Sequence, residues 1–169
     1  MENLIISVSG VRGIVGDSLH PSLLTRFATA FGTFIGGKTV VIGRDSRTSG
    51  TMARHAVLAG LIATGCKVID VGLCPTPTVL LMSKELNAQG SLVITASHNP
   101  INWNGLEFAA ESGQLLSPTE RTRLMRIYDS ADFKLAAWDE QGSVEAFDGA
   151  VERHIASILT CDWVNRDQT

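Results

Sequence analysis

Ser97, His98 and Asn99 follow one another two residues past a short run of apolar and β-branched side chains, Ser91–Thr95 (SLVIT). A serine at the mouth of such a loop is suited to act as a nucleophile or as a phosphate carrier. His98 and Asn99 offer hydrogen-bond donors to an anion, and Pro100 and Gly105 shape the loop. The competing reading is structural: a capped strand-to-turn loop with no chemistry. Three arginines stand in loops that also carry glycine or serine, Arg12 in SGVRG (9–13) and Arg44 and Arg47 in GRDSR (43–47). A guanidinium matches phosphate oxygens with two parallel hydrogen bonds. Asp45 can equally pair with one of these arginines, Arg44 first among them, and brace the loop; the two roles can coexist. His55 and His154 fall within helical patterns and His20 precedes Pro21 at a helix entrance, so all three read as structural.

The elements that must position these residues alternate between strand and helix patterns, which argues for a layered α/β fold. Leu4–Val8 reads as a strand, followed by a turn punctuated by Gly10, Gly13 and Gly16. Pro21 is a favoured first helical residue. Leu23, Leu24, Phe27, Phe31, Phe34 and Ile35 recur at helical spacing, and Gly36-Gly37 stops the helix. Buried strands are expected at Thr39–Gly43, Lys67–Val71 and Ser91–Thr95, with helices at about 51–64 and 77–86, the latter capped by Thr76. Leu106–Ala109 and Gln114–Leu116 read as short strands around a turn. Ser117-Pro118-Thr119-Glu120 is a capping box that opens a helix to about Asp129. The pattern weakens from Ala131 to Phe147, which reads as a linker, and returns at Val151, Ile155, Ile158 and Leu159. The final CDWVNRDQT has no stop signal, so the native chain is expected to continue. In open α/β sheets ligands bind beyond the C-terminal ends of the strands, where two apolar strands deliver Arg44 and Ser97.

Composition narrows the function classes. With 169 residues, 44% apolar and 18% charged, the chain can bury one sizeable core. Lysine and arginine are scattered and the net charge is −3, which argues against a nucleic-acid or anionic-membrane partner. No apolar run approaches a membrane-spanning length, and Glu2 before a short apolar stretch does not make a signal peptide. Cys66, Cys74 and Cys161 have no metal-like spacing and suit a reduced, cytoplasmic setting.

Ser9-Gly10-Val11-Arg12-Gly13, Gly43-Arg44-Asp45-Ser46-Arg47, Cys74-Pro75-Thr76-Pro77-Thr78 and Thr95-Ala96-Ser97-His98-Asn99-Pro100, the last followed by Asn104-Gly105, resemble four motifs of the α-D-phosphohexomutase superfamily in that family's order. The family includes phosphoglucomutases, phosphomannomutases and phosphoglucosamine mutases. The resemblance covers residues 4 to about 130. It implies a three-layer α/β/α domain with a mixed, mostly parallel sheet over residues 1–135, then a linker and helix over 136–169 leading toward a second domain. It further implies that Ser97 is a phosphoserine that exchanges its phosphoryl group with a hexose monophosphate through a hexose 1,6-bisphosphate. A Mg²⁺ would be bound by the phosphate on Ser97 and by an aspartate loop in a later domain. Arg12 and Arg44 would orient charge around the loop, and His98 would contact the transferring group or the substrate hydroxyl. Asn99, Asn104, Glu107 and Arg47 would line the substrate side. The expected partners are a hexose phosphate and the remaining domains of the same polypeptide, without which residues 1–169 are not expected to turn over.

One position departs from the resemblance. The family usually has lysine two residues after the Asn-Gly pair, and this chain has Glu107. A carboxylate there would repel a phosphoserine, by about 1 kcal/mol at 4 Å in water and about 4 kcal/mol at an effective dielectric near 20. Unless it serves as a general base or points away, Glu107 supports a second reading, a non-catalytic phosphosugar-binding relative. A third reading, a Ser97–His98 hydrolase, is disfavoured because neighbouring side chains on an extended chain point opposite ways and no G-x-S-x-G elbow is present.

Overall fold

The computed structural model describes residues 3–7, 10–161 and 164. Five helices, α1 (Pro21–Ile35), α2 (Gly50–Ala63), α3 (Thr76–Glu85), α4 (Pro118–Ser130) and α5 (Ala150–Leu159), enclose a sheet. Its strands are β1 (Ile5–Ile6), β2 (Gly10–Ile14), β3 (Val40–Arg44), β4 (Lys67–Leu73), β5 (Gly90–Ile94), β6 (Trp103–Ala110) and β7 (Ser143–Ala146). Their order is β1-β2-β6-β5-β3-β4-β7.

Side-chain alternation along the central strands divides the core. Val40, Ile42, Leu92, Ile94, Leu106 and Phe108 pack toward α1, α2 and α4, while Val41, Ile69, Val71 and Val93 pack toward α3. The result is the expected three-layer α/β/α sandwich with a mixed sheet. Its halves differ: β5-β3-β4-β7 pair in parallel, whereas β1-β2-β6-β5 pair antiparallel. β3 leads through α2 to β4, and β4 returns through α3 past β3 to β5. The loops that follow β3 and β5 therefore leave neighbouring strands at the same edge, the place where α/β sheets bind ligands.

Local signals predict the helix ends well. Ser117 and Glu120 form the capping box, and Gly36 ends α1 in the left-handed region at φ 75°. Phe27 on α1 stacks on Tyr128 of α4 with centroids 3.9 Å apart, a contact worth about 0.5–1.5 kcal/mol beyond its burial.

Several expected boundaries move. The glycine-punctuated turn at 10–14 is strand β2, because Gly10, where a Cβ would collide with the Leu106 carbonyl, allows close antiparallel pairing with β6. The short strand at 106–109 lengthens to Trp103–Ala110, while 114–116 contributes only a bridge from Leu115 to Ala109. Pro75, not Thr76, precedes the first turn of α3. Within the stretch read as a linker, 143–146 adds a parallel edge strand to β4, and Thr78 on α3 meets His154 on α5 at 2.7 Å. That strand escapes notice because all four of its residues are exposed. Val8, Ser9 and most of the tail from 162 onward lie outside the described residues. No helix among the described residues is long and apolar enough to cross a membrane.

Candidate active site

The loop after β5 turns on Ser97, which adopts a left-handed conformation at φ 54°. For a residue with a Cβ this costs about 1–2 kcal/mol, and such strain persists only where surrounding contacts overdetermine it. Here the contacts come from Arg47, which is 8% exposed. Its Nε donates to Asp45 Oδ2 at 3.0 Å, Nη1 to the carbonyls of Pro100 and Trp103 at 2.6 and 3.0 Å, and Nη2 to those of Ser97 and Asn99 at 3.0 and 2.8 Å. All five guanidinium N–H groups are therefore used. Asp45 Oδ2 also accepts from the Thr95 hydroxyl at 2.8 Å, and Thr95 Oγ1 accepts from the Ser97 N–H at 2.9 Å. The loop is clamped from within, and the Ser97 hydroxyl at its crest remains exposed.

Ser97 Oγ lies 3.3 Å from His98 Nδ1. The two side chains meet because Ser97 is left-handed rather than extended, which overturns the geometric objection to a serine–histidine pair. A hydrolase dyad would still need a group to orient the histidine, and the His98 ring has no second hydrogen-bond partner among the described residues.

The other expected residues occupy distinct positions. Asn99 gives its carbonyl to Arg47. Asn104 is wholly buried; its Nδ2 donates to Ser49 Oγ at 2.8 Å and its Oδ1 accepts from the Gly105 N–H, so it ties β6 to the entrance of α2. Arg12 Nη2 pairs with Glu107 Oε1 at 2.9 Å, with side-chain exposures of 18% and 9%. Gly105 makes that reach possible: a Cβ there would stand 2.2 Å from the Val11 carbonyl oxygen and 3.0 Å from Arg12 Cγ. Arg44 does not pair with the Asp45 carboxylate, which goes to Arg47. Its Nη1 donates to the Asp45 carbonyl at 3.2 Å, and the side chain lines a separate cleft beside α2.

Asp45 and Thr95 work together in a way the sequence does not announce. Their bond depends on β3 and β5 being neighbours, although the polar end of SLVIT was a visible cue. Burial, then the charge of Asp70, pushes the Cys74 thiol up to about 11. Burial raises Cys66 despite a hydrogen bond with Thr64, and the Ser117 bonds lower Glu120. No group of three or more His, Cys, Asp or Glu able to hold a metal stands among the described residues, so these residues alone do not fit a metal centre.

Comparison with known proteins finds relatives of this fold. Residues 4–135 match the family model described as phosphoglucomutase/phosphomannomutase, alpha/beta/alpha domain I. A probable phosphoglucosamine mutase of Pyrococcus furiosus is 42% identical over 136 residues, covering 80% of this chain and 30% of that protein. A phosphoglucomutase/phosphomannomutase of Thermococcus kodakarensis is 39% identical over 144 residues, covering 82% and 32%. A crystal structure of a phosphoglucomutase/phosphomannomutase family protein from Burkholderia thailandensis superposes with a TM-score of 0.78 at 28% identity, covering 92% of this chain and 36% of that one. The chain spans about a third of the length of the curated relatives it matches.

Proposed function

The chain belongs to the phosphoglucomutase/phosphomannomutase family, as its α/β/α domain I, and on that premise we propose that Ser97 is the phosphoryl carrier of a hexose-phosphate mutase. The observation that carries this reading is the clamped loop: a strained, exposed serine whose own carbonyl is held by a buried, fully bonded arginine.

In this reading the Ser97 Oγ–P bond breaks as the phosphorus bonds to a hydroxyl oxygen of a hexose monophosphate, and the hydroxyl proton ends on Ser97 Oγ. The product is a hexose 1,6-bisphosphate. Its other phosphoryl group then returns to Ser97 Oγ, leaving the isomeric monophosphate. The same bisphosphate would recharge a Ser97 that has lost its phosphate. A phosphoserine carries about −1.5 to −2 charges, so transfer depends on position and charge neutralisation. Arg47 supplies position, His98 the nearest side-chain contact to Ser97 Oγ, and Arg12 and Arg44 positive charge on the same domain. A magnesium ion would offset further charge; this chain would offer it one oxygen, on the Ser97 phosphate, with carboxylates from other domains. Hexose binding at Ser97 likewise calls on the rest of a longer polypeptide, so residues 1–169 alone are expected to give no turnover. The test is interconversion of hexose 1- and 6-phosphates by the full-length protein: Ser97→Ala abolishes it, and turnover that survives the substitution contradicts the assignment.

The second reading, a phosphosugar-binding relative without turnover, is favoured by one observation. Glu107 holds Arg12 in an ion pair, so its carboxylate neutralises a cation that could otherwise face the phosphate. It predicts that Ser97 carries no phosphate and that turnover, absent in the full-length protein, appears with Glu107→Lys.

A further inference from the structure

A cleft of about 370 Å³ opens beyond the C-terminal ends of β3, β4 and β7, against the first turns of α2. Its walls include Arg44, Thr51, Arg54, His55, Asp70 and Asp148, and neither Ser97 nor His98 belongs to it. Two of its charges are already consumed. Arg54 Nε is ion-paired with Asp70 Oδ2, and Asp70 Oδ1 accepts from the Gly72 N–H. Arg44 is not consumed: beyond its bond to the Asp45 carbonyl, its remaining N–H groups have no protein partner among the described residues. In the first turn of α2 the Gly50 and Ala53 N–H groups bond the carbonyls of Arg47 and Ser49, and the turn has no side-chain cap, the Ser49 hydroxyl accepting from Asn104. Across the cleft stands the exposed carboxylate of Asp148.

We propose that this cleft is a second ligand site, for a small phosphorylated polyhydroxy compound. Arg44 would take the phosphate, since its unspent guanidinium N–H groups match phosphate oxygens. Asp148 would accept hydrogen bonds from hydroxyls and repel a second phosphate, which selects against polyanions. The volume lies within the range of small-molecule sites. The inference stands on Arg44 and the cleft, not on the phosphoserine reading, and the Asp45 carbonyl links the two regions.

The test is a ¹H–¹⁵N NMR titration of the 169-residue chain with glucose 6-phosphate, with inorganic phosphate and glucose as controls. Saturable shifts are expected at the amides of Thr51, Met52 and Gly72, weaker binding of inorganic phosphate, and none of glucose. Arg44→Gln weakens glucose 6-phosphate binding by about tenfold or more, as loss of a charge-assisted contact should. Asp148→Asn weakens the sugar phosphate but not inorganic phosphate, and Ser97→Ala changes neither. The proposal is overturned by the absence of saturable shifts, by shifts confined to 96–100, by binding that survives Arg44→Gln, or by inorganic phosphate binding as tightly as the sugar phosphate.

Discussion

Arg44 and Arg47 leave the same loop three residues apart, and their surroundings give one guanidinium two different roles. Arg47 is buried, with each N–H group on an acceptor and four of its five acceptors main-chain carbonyls of the Ser97 loop and its return. Nothing is left over to meet a ligand. Arg44 spends one bond on a carbonyl and turns to a cleft. An arginine in such a loop is thus a strut or a contact according to what its donors already hold. Residue type and spacing alone do not distinguish the two.

The largest expected effect breaks this contrast if it fails. Arg47→Ala leaves Asp45 without its ion-pair partner and takes a donor from four carbonyls, of which that of Pro100 keeps the Trp103 N–H, and should cost about 3–5 kcal/mol in urea unfolding. Arg47→Lys should recover little, since an ammonium has three donors and no planar fork. Arg44→Ala should stay within about 0.5 kcal/mol, as surface substitutions do. Equal losses for the two alanine variants would dissolve the distinction between strut and contact.

Next in size is the pair that lies apart from both arginines of that loop. Glu107→Gln removes a largely buried ion pair with Arg12 and should destabilise by about 1–3 kcal/mol. No change in the unfolding midpoint would mean that Arg12 is held by something other than Glu107.

Smaller still is the strain the clamp imposes. Ser97→Gly removes a left-handed cost of about 1–2 kcal/mol and adds about 0.4–1 kcal/mol of chain entropy. A net gain of about 0.5–1 kcal/mol is expected, while Ser97→Val loses stability. A loss with glycine would show that the serine side chain contributes more than its backbone strain costs.

At neutral pH the smallest effect comes from Cys74. Its folded-state pKa is raised, so its contribution is complete below the unfolded value and is lost as pH rises from about 9 toward about 11. Cys74→Ala should flatten the alkaline limb of a stability–pH curve. Native alkylation at mildly alkaline pH should reach the partly exposed Cys161 before Cys74.

What the sequence disclosed divides along the same physical line, local against distant. The Ser117 capping box, the Gly36 stop and the apolar strand that delivers Ser97 depend on neighbours in the chain and are legible. Strand β2 hides behind glycines because its pairing with β6 is decided about 90 residues away. Edge strand β7 has no buried face to leave a period. The left-handed Ser97 could not be foreseen, since serine has no preference for that region; Arg47 enforces it from another loop. The choice of Asp45 for Arg47 over Arg44, and the reach of Arg12 across Gly105 to Glu107, likewise require the strand order. Family resemblance favours a carrier serine at Ser97, where local chemistry left a carrier serine and a capped turn as equal alternatives.

Ser97, clamped at the crest of its loop, is proposed to carry phosphate. Peptide mass mapping of the full-length protein, isolated from its cells and again after incubation with a hexose 1,6-bisphosphate, tests it most directly. One phosphate is expected on the peptide that contains Ser97, lost in Ser97→Ala. A Ser97 peptide unmodified under both conditions would contradict it and favour the binding protein without turnover.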